Sequence, residues 1–133
     1  MMDASDGAAA VDAWFDGQHH DLVGGARMLR DTILAAAPTA VRSVKWQAPN
    51  FAIAGTDFAT FSMRRAGQLQ LILHTGAKPR PDLAPIRIAP IGPHFRWADH
   101  NRAVVTFLSD AEVRASSAEV TAAVQAWTAA LSD

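Results

Sequence analysis

RSVKWQAPNFAIAGTDFATFSMRRAGQLQLILHTGAK, residues 42–78, decides the fold, because apolar side chains recur there at every second position over two separate runs. Ala59, Phe61 and Met63 fall on one face of an extended chain, with Thr60, Ser62 and Arg64 on the other. Ala66-Gly67 then turns the chain, and Leu69, Leu71 and Leu73 point one way while Gln70, Ile72 and His74 point the other. This is a hairpin of two strands, each with one apolar and one more polar face. Upstream, Val44 and Trp46 share a face, and Pro49 holds Ala48 extended and marks an edge or a break. Phe51 and Ile53 resume the strand, and Gly55-Thr56-Asp57 reads as a turn.

Outward from this segment the period becomes helical. Val11, Trp14 and Phe15 lie on one face of a short helix that Asp16-Gly17 ends. Leu22, Ala26, Leu29 and Ile33 predict a longer helix over 21–37, with Pro38 just beyond. Gly24-Gly25 weakens that helix by roughly 1 kcal/mol per glycine relative to alanine, which a close contact with another helix would explain. On the C-terminal side, five of the seven prolines fall between Gly76 and Pro93, so a long irregular connection is expected. Phe95 and Trp97, a turn at Asp99-His100-Asn101, and Ala103, Val105 and Phe107 make a second hairpin. Ser109 with Glu112 and Ser116 with Glu119 have the spacing of capping boxes. The second opens a helix whose stripe of Val120, Val124, Trp127 and Leu131 should cover the sheet. The expected fold is α+β: a two-layer domain over 11–133, an antiparallel sheet with N-terminal and C-terminal helices packed on one face, preceded by a flexible alanine-rich tail over 1–10.

Composition narrows the function classes. At 133 residues, 50% hydrophobic and 19% charged, the chain is ordinary for one globular domain. It has no cysteine, which excludes disulfides, thiolate metal sites and cysteine nucleophiles, and the cytoplasm is the default location. No apolar run is long enough for a bilayer span, and the start of the chain is acidic where a signal peptide would be basic. The formal net charge of -1 conceals an asymmetry, since 42–102 holds nine Lys and Arg against Asp57, Asp82 and Asp99. A basic central sheet attracts an anion, although solvated positions balanced by acidic helices account for the same pattern. A sequence pI of about 6.5 argues against nucleic acid as partner.

The segments Val44–Phe51, Asp57–Phe61, Leu71–Lys78 and Trp97–Phe107 resemble the YdhG-like family of small bacterial proteins, a domain of unknown function, with the likeness covering about residues 11–131. The resemblance implies helices, then antiparallel strands, then a C-terminal helix. Some members of that family are described as frataxin-like iron chaperones, a role that relies on acidic side chains supplying hard oxygen ligands. The acids of the early helical region here are Asp12, Asp16, Asp21 and Asp31. The resemblance brings no catalytic residue with it.

Candidate sites follow from residue types. His19-His20 are adjacent, and neighbours at i and i+1 do not face each other on a helix, so an exposed polar pair is the plainer reading than joint metal ligation. His74, His94 and His100 sit at strand ends where a three-histidine zinc site is conceivable, but no further ligand spacing supports it and no metal or other cofactor is expected. Trp14 and Trp127 read as core, whereas Trp46 and Trp97 have polar neighbours. Trp46, Phe51 and Trp97 can wall a pocket with Lys45, Asn50, His74 and Lys78 at its rim. The ligand-binding residues expected are therefore Lys45, Trp46, Asn50, His74, Lys78 and Trp97, and the expected function is a non-catalytic binding domain for a small anionic ligand or a protein partner, with a frataxin-like iron chaperone as the alternative. Asp99 with His100 is too close in sequence for an oriented acid–base pair, so no enzyme is expected. Asp99 and Arg102 read as a surface ion pair or an Asx-turn. An exposed strand edge leaves a homodimer open.

Overall fold

Alternation along the chain becomes a six-stranded antiparallel sheet in the computed structural model, which describes residues 4–78 and 80–132. The strands are β1 Val41–Lys45, β2 Ala48–Ile53, β3 Thr56–Ser62, β4 Leu69–Leu73, β5 Phe95–Asp99 and β6 Arg102–Phe107, in the order β1-β2-β3-β4-β6-β5. Four helices accompany them: α1 Ala4–Asp16, α2 Val23–Ala36, α3 Asp110–Ala115 and α4 Ser117–Ser132. The fold is the expected α+β domain. The tail expected over 1–10 is helical from Ala4 onward, in one continuous helix with the turns that bury Val11 and Phe15. Residues 1–3 lie outside the described residues.

One face of the sheet is the floor of the core. Phe51, Ala59, Phe61, Leu69, Leu71, Leu73, Ala103, Val105 and Phe107 are all buried and join one cluster with Val11, Phe15, Leu29, Ile33, Val120, Val124 and Trp127 from the helices. The pairing register explains how: Phe51 faces Ala59, Ala59 faces Leu73, and Leu73 faces Ala103, so one row of apolar side chains crosses four strands. The next row, Asn50, Thr60, Ile72, Val104 and Arg96, has the opposite orientation and stays out of the core cluster. No helix among the described residues is long and apolar enough to cross a membrane.

Three local features depart from the alternation. Trp46 and Gln47 are not strand residues but the two-residue connection between β1 and β2, with φ of 52° and 61°. Positive φ at both central positions is what a type I′ hairpin requires, and that turn twists the strands in their natural sense. The break expected between Trp46 and Phe51 is this turn, and Pro49 itself sits in β2 opposite Val44. The next turn is Ala54-Gly55, again with positive φ at both, so Thr56 and Asp57 belong to β3 rather than to a turn. Third, the β2–β3 register slips by one residue between Phe51 and Ala52. Under unbroken alternation Phe58 would share the polar face of Thr60, and Asp57 would point into the core. The bulge reverses both.

The capping boxes fare differently. The Glu112 amide donates to Ser109 Oγ at 3.1 Å, and Glu112 Oε2 accepts from the Leu108 amide at 2.7 Å, so the first box forms with a one-residue offset. The second does not: Ser116 closes the C-terminus of α3, and Glu119 Oε1 accepts instead from the Gly92 amide of the proline-rich connection at 3.2 Å. That connection, from Leu73 to Phe95, contains no helix or strand among its described residues.

Gly24-Gly25 is a close helix contact. A Cβ on Gly25 would lie 2.6 Å from Asp110 Oδ1 and 3.2 Å from Val113 Cγ2 of α3. The same Asp110 oxygen accepts from the Gly25 amide at 2.9 Å, so a carboxylate from α3 serves the N-terminus of α2, which has no side-chain cap of its own. Gly25→Ala should therefore lower stability by about 1–2 kcal/mol, since steric overlap and the disturbed hydrogen bond from the residue 25 amide to Asp110 outweigh the gain in helix propensity. Gly24→Ala, where the added carbon would meet only Asp110 Oδ2 at 3.2 Å, should cost less. Urea denaturation of the two variants measures the difference.

Candidate functional site

On the face turned away from the core, which no helix covers among the described residues, five side chains from β1 to β3 and the residue after β4 form one hydrogen-bonded chain. Lys45 Nζ donates to Asp57 Oδ2 at 2.9 Å, and Asn50 Nδ2 donates to Asp57 Oδ1 at 2.9 Å. Thr60 Oγ1 donates to Asn50 Oδ1 at 2.8 Å and lies 2.9 Å from His74 Nε2. The Gly76 amide donates to His74 Nδ1 at 3.1 Å, which leaves that nitrogen without a proton. The ring is thus neutral with its hydrogen on Nε2, and His74 donates to Thr60. Every donor in the chain points toward Asp57. Asn50 is wholly buried, so leaving either end of its amide unpaired would cost about 1–3 kcal/mol.

The bulge and the register position these groups. Asn50 faces Thr60 across β2–β3, Thr60 faces Ile72 across β3–β4, and His74 follows β4 directly. His74 also ties the two layers together, because its amide donates to the Phe58 carbonyl at 2.9 Å and its carbonyl accepts from Trp127 Nε1 at 2.8 Å in the core.

Above the chain lies a cleft of about 290 Å3 lined by Trp46, Thr60, Ile72, His74, Gly76, Ala77 and Arg102. Trp46 is 64% exposed, a large amount for the biggest aromatic side chain. Its left-handed backbone costs ~1–2 kcal/mol, and the turn is held by Trp14 Nε1 donating to the Gln47 carbonyl at 2.9 Å. Arg102 forms no ion pair among the described residues, nor does Lys78, which shares the adjoining cleft with His74 and Arg102.

The six residues expected from the sequence divide into three groups. Trp46, His74 and Lys78 line the joined clefts. Lys45 and Asn50 are part of the supporting chain, with the Lys45 ammonium committed to Asp57 and Asn50 out of solvent. Trp97 lies on the other side of the sheet: it pairs with Ala103, and its ring stacks on Trp127 at 5.9 Å with an 18° interplanar angle. The same alternation that buries Phe95 inward places Arg96, not Trp97, on the open face. Thr60, Asp57 and Arg102 were not expected, although the polar position of Thr60 in β3 and of His74 at the end of β4 already put the first beside the histidine.

His19, His20, His94 and His100 contribute no metal centre; among the described residues no three His, Cys, Asp or Glu side chains gather as ligands. His20 instead fixes backbone, with Nε2 on the Arg65 carbonyl at 2.7 Å and Nδ1 accepting from the Leu22 amide at 2.9 Å. Asp99 accepts from the His100 amide at 2.7 Å rather than pairing with Arg102. No family model, curated protein or solved structure matches the chain.

Burial holds the His74 pKa below its ordinary 6.5, the nearby Arg102 charge lowers it further, and Asp57 opposes both. Folded and unfolded chains both carry neutral His74 well above 6.5, so its contribution to stability is complete there. As pH falls below 6.5 the unfolded state takes up a proton that the folded state refuses, and stability is lost until the folded pKa is reached. Denaturation midpoints measured from neutral pH downward should therefore decline in the natural sequence, and decline less in His74→Gln. Equal declines would show that His74 titrates alike in both states.

Proposed function

We propose that this protein is a non-catalytic binding domain whose open sheet face receives a small anionic ligand in the cleft between Trp46 and Arg102. The observation that carries this reading is the exposed Trp46 ring, held in a costly left-handed turn, in one cleft with a cation that has no carboxylate partner among the described residues. Strained backbone that surroundings over-determine clusters at ligand clamps. An aromatic wall with a guanidinium beside it suits a flat ring bearing a carboxylate, through stacking and a charge-assisted bidentate contact. Lys78 at the mouth adds to the attraction.

Binding fits the site better than turnover does. His74 is the only titratable group in the cleft with an acid–base range near neutrality, and both its ring nitrogens are engaged, one by Thr60 and one by Gly76. It can form a wall, but has no free nitrogen with which to move a proton. Membership of the YdhG-like family belongs to the same proposal and rests on the segments quoted above. The iron-carrier role that this likeness implies has no such support, because hard oxygen ligands would have to gather and the acids here are dispersed or paired.

Benzoate, a flat carboxylate, is the simplest probe. In an NMR titration it should shift the Trp46 indole resonance, and Arg102→Ala should weaken binding about tenfold or more. An unmoved Trp46 resonance, or the same affinity in Arg102→Ala, contradicts the assignment.

A further inference from the structure

A second cleft of about 540 Å3 opens toward the other end of the uncovered face, lined by Ser62, Arg64, Arg65, Gln68, Gln70 and Arg96. All six lining residues are polar, and three carry a permanent positive charge. No carboxylate lines it, and none of the three guanidiniums forms an ion pair among the described residues. Like charges gathered without a counter-ion repel one another, and an anion relieves that repulsion.

The backbone beneath these arginines is fixed. His20 Nε2 donates to the Arg65 carbonyl at 2.7 Å, the Gly67 amide donates to Asp21 Oδ1 at 3.1 Å, and the Gln68 amide reaches the Arg65 carbonyl at 3.3 Å. The segment before α2 thus clamps the β3–β4 connection from outside the cleft, and Asp21, the nearby acid, is engaged by Gly67 rather than by an arginine. Across the sheet Arg96 is set by its register with Val104, and Gln70 is anchored by Nε2 donating to Thr106 Oγ1 at 3.2 Å.

We propose that this cleft binds a small phosphate monoester of the sugar-phosphate class. Guanidinium forks match the oxygens of a phosphate dianion, and three arginines line this one cleft. Ser62, Gln68 and Gln70 offer hydroxyl and amide groups of the kind that hydrogen-bond sugar hydroxyls. The lining itself contains no aromatic or aliphatic wall, so a nucleobase held within this cleft would have no ring to stack on. The volume falls within the ~300–1,000 Å3 of small-molecule sites, larger than a bare phosphate needs. The proposal uses none of the residues assigned to the Trp46 cleft and stands apart from that reading.

Calorimetric titration with glucose 6-phosphate, against chloride of matched ionic strength, tests it. Glucose 6-phosphate should bind more tightly than inorganic phosphate, and glucose should give no heat. The exposed pair Arg64→Ala/Arg96→Ala should weaken binding at least tenfold, Arg64→Lys/Arg96→Lys should retain part of it, and Arg102→Ala should leave it unchanged. Absence of binding, or the same affinity in the double alanine variant, overturns the site. Equal affinity for inorganic phosphate and the sugar phosphate, or tighter binding of adenosine monophosphate, overturns the ligand class. Loss in Arg102→Ala alone would place the anion in the Trp46 cleft instead.

Discussion

All four polar atoms of His74 are spoken for, and the rest of the site depends on that. Its amide holds the end of β4 to Phe58, and its carbonyl receives the Trp127 indole from α4. Its two ring nitrogens fix the Gly76 turn on one side and Thr60 on the other. The backbone of one residue therefore joins the helical layer to the sheet, while its ring starts the polar chain that runs through Thr60 and Asn50 to Asp57 and Lys45. Within a partly buried site such a chain is stable only when every member is satisfied, and no buried side-chain nitrogen or oxygen among the described residues lacks a partner.

Much of the fold was legible because the hydrophobic period is strong. Leu69, Leu71 and Leu73, the Val105 and Phe107 strand, and the Val120, Val124, Trp127 and Leu131 stripe all sit where simple alternation or a helical repeat puts them. The site was only half legible, for reasons that are local. Trp46 alternates with Val44 as a strand residue would, and a type I′ turn is usually announced by Asn-Gly, which Trp46-Gln47 is not. The bulge at Phe58 carries no sequence signal that alternation can detect, yet it alone brings Asp57 to the open face and so supplies the acceptor for both Lys45 and Asn50. Trp97 was expected to wall the same pocket as Trp46 because its neighbours are polar, whereas its register with Ala103 sends its ring to Trp127. The pairing of Glu119 with Gly92 joins elements far apart in sequence, which capping-box spacing cannot foresee.

The open face has a consistent chemical character. A middle cleft lined by Trp14, Trp46, Thr60, Ser62, Arg64 and Ile72, among others, shares Ser62 and Arg64 with the arginine end and Trp46, Thr60 and Ile72 with the His74 end. A continuous groove therefore crosses the strands, cationic at both ends and aromatic between. Acidic side chains are kept from most of it: Asp57 is neutralised by Lys45, and Asp12 and Asp16 pair with Arg30 and Arg27 near the helices. This distribution, more than the net charge of -1, determines what the surface can attract.

The protonation of the His74 ring tests the whole arrangement most directly. Long-range proton–nitrogen correlation spectra of the imidazole at neutral pH should show a neutral ring with its hydrogen on Nε2 and an unprotonated Nδ1, the Nε2 proton exchanging slowly with water. A ring protonated on Nδ1, or an imidazolium, would mean that Gly76 and Thr60 do not hold it as described, and the polar chain that supports the open face would not exist in this form.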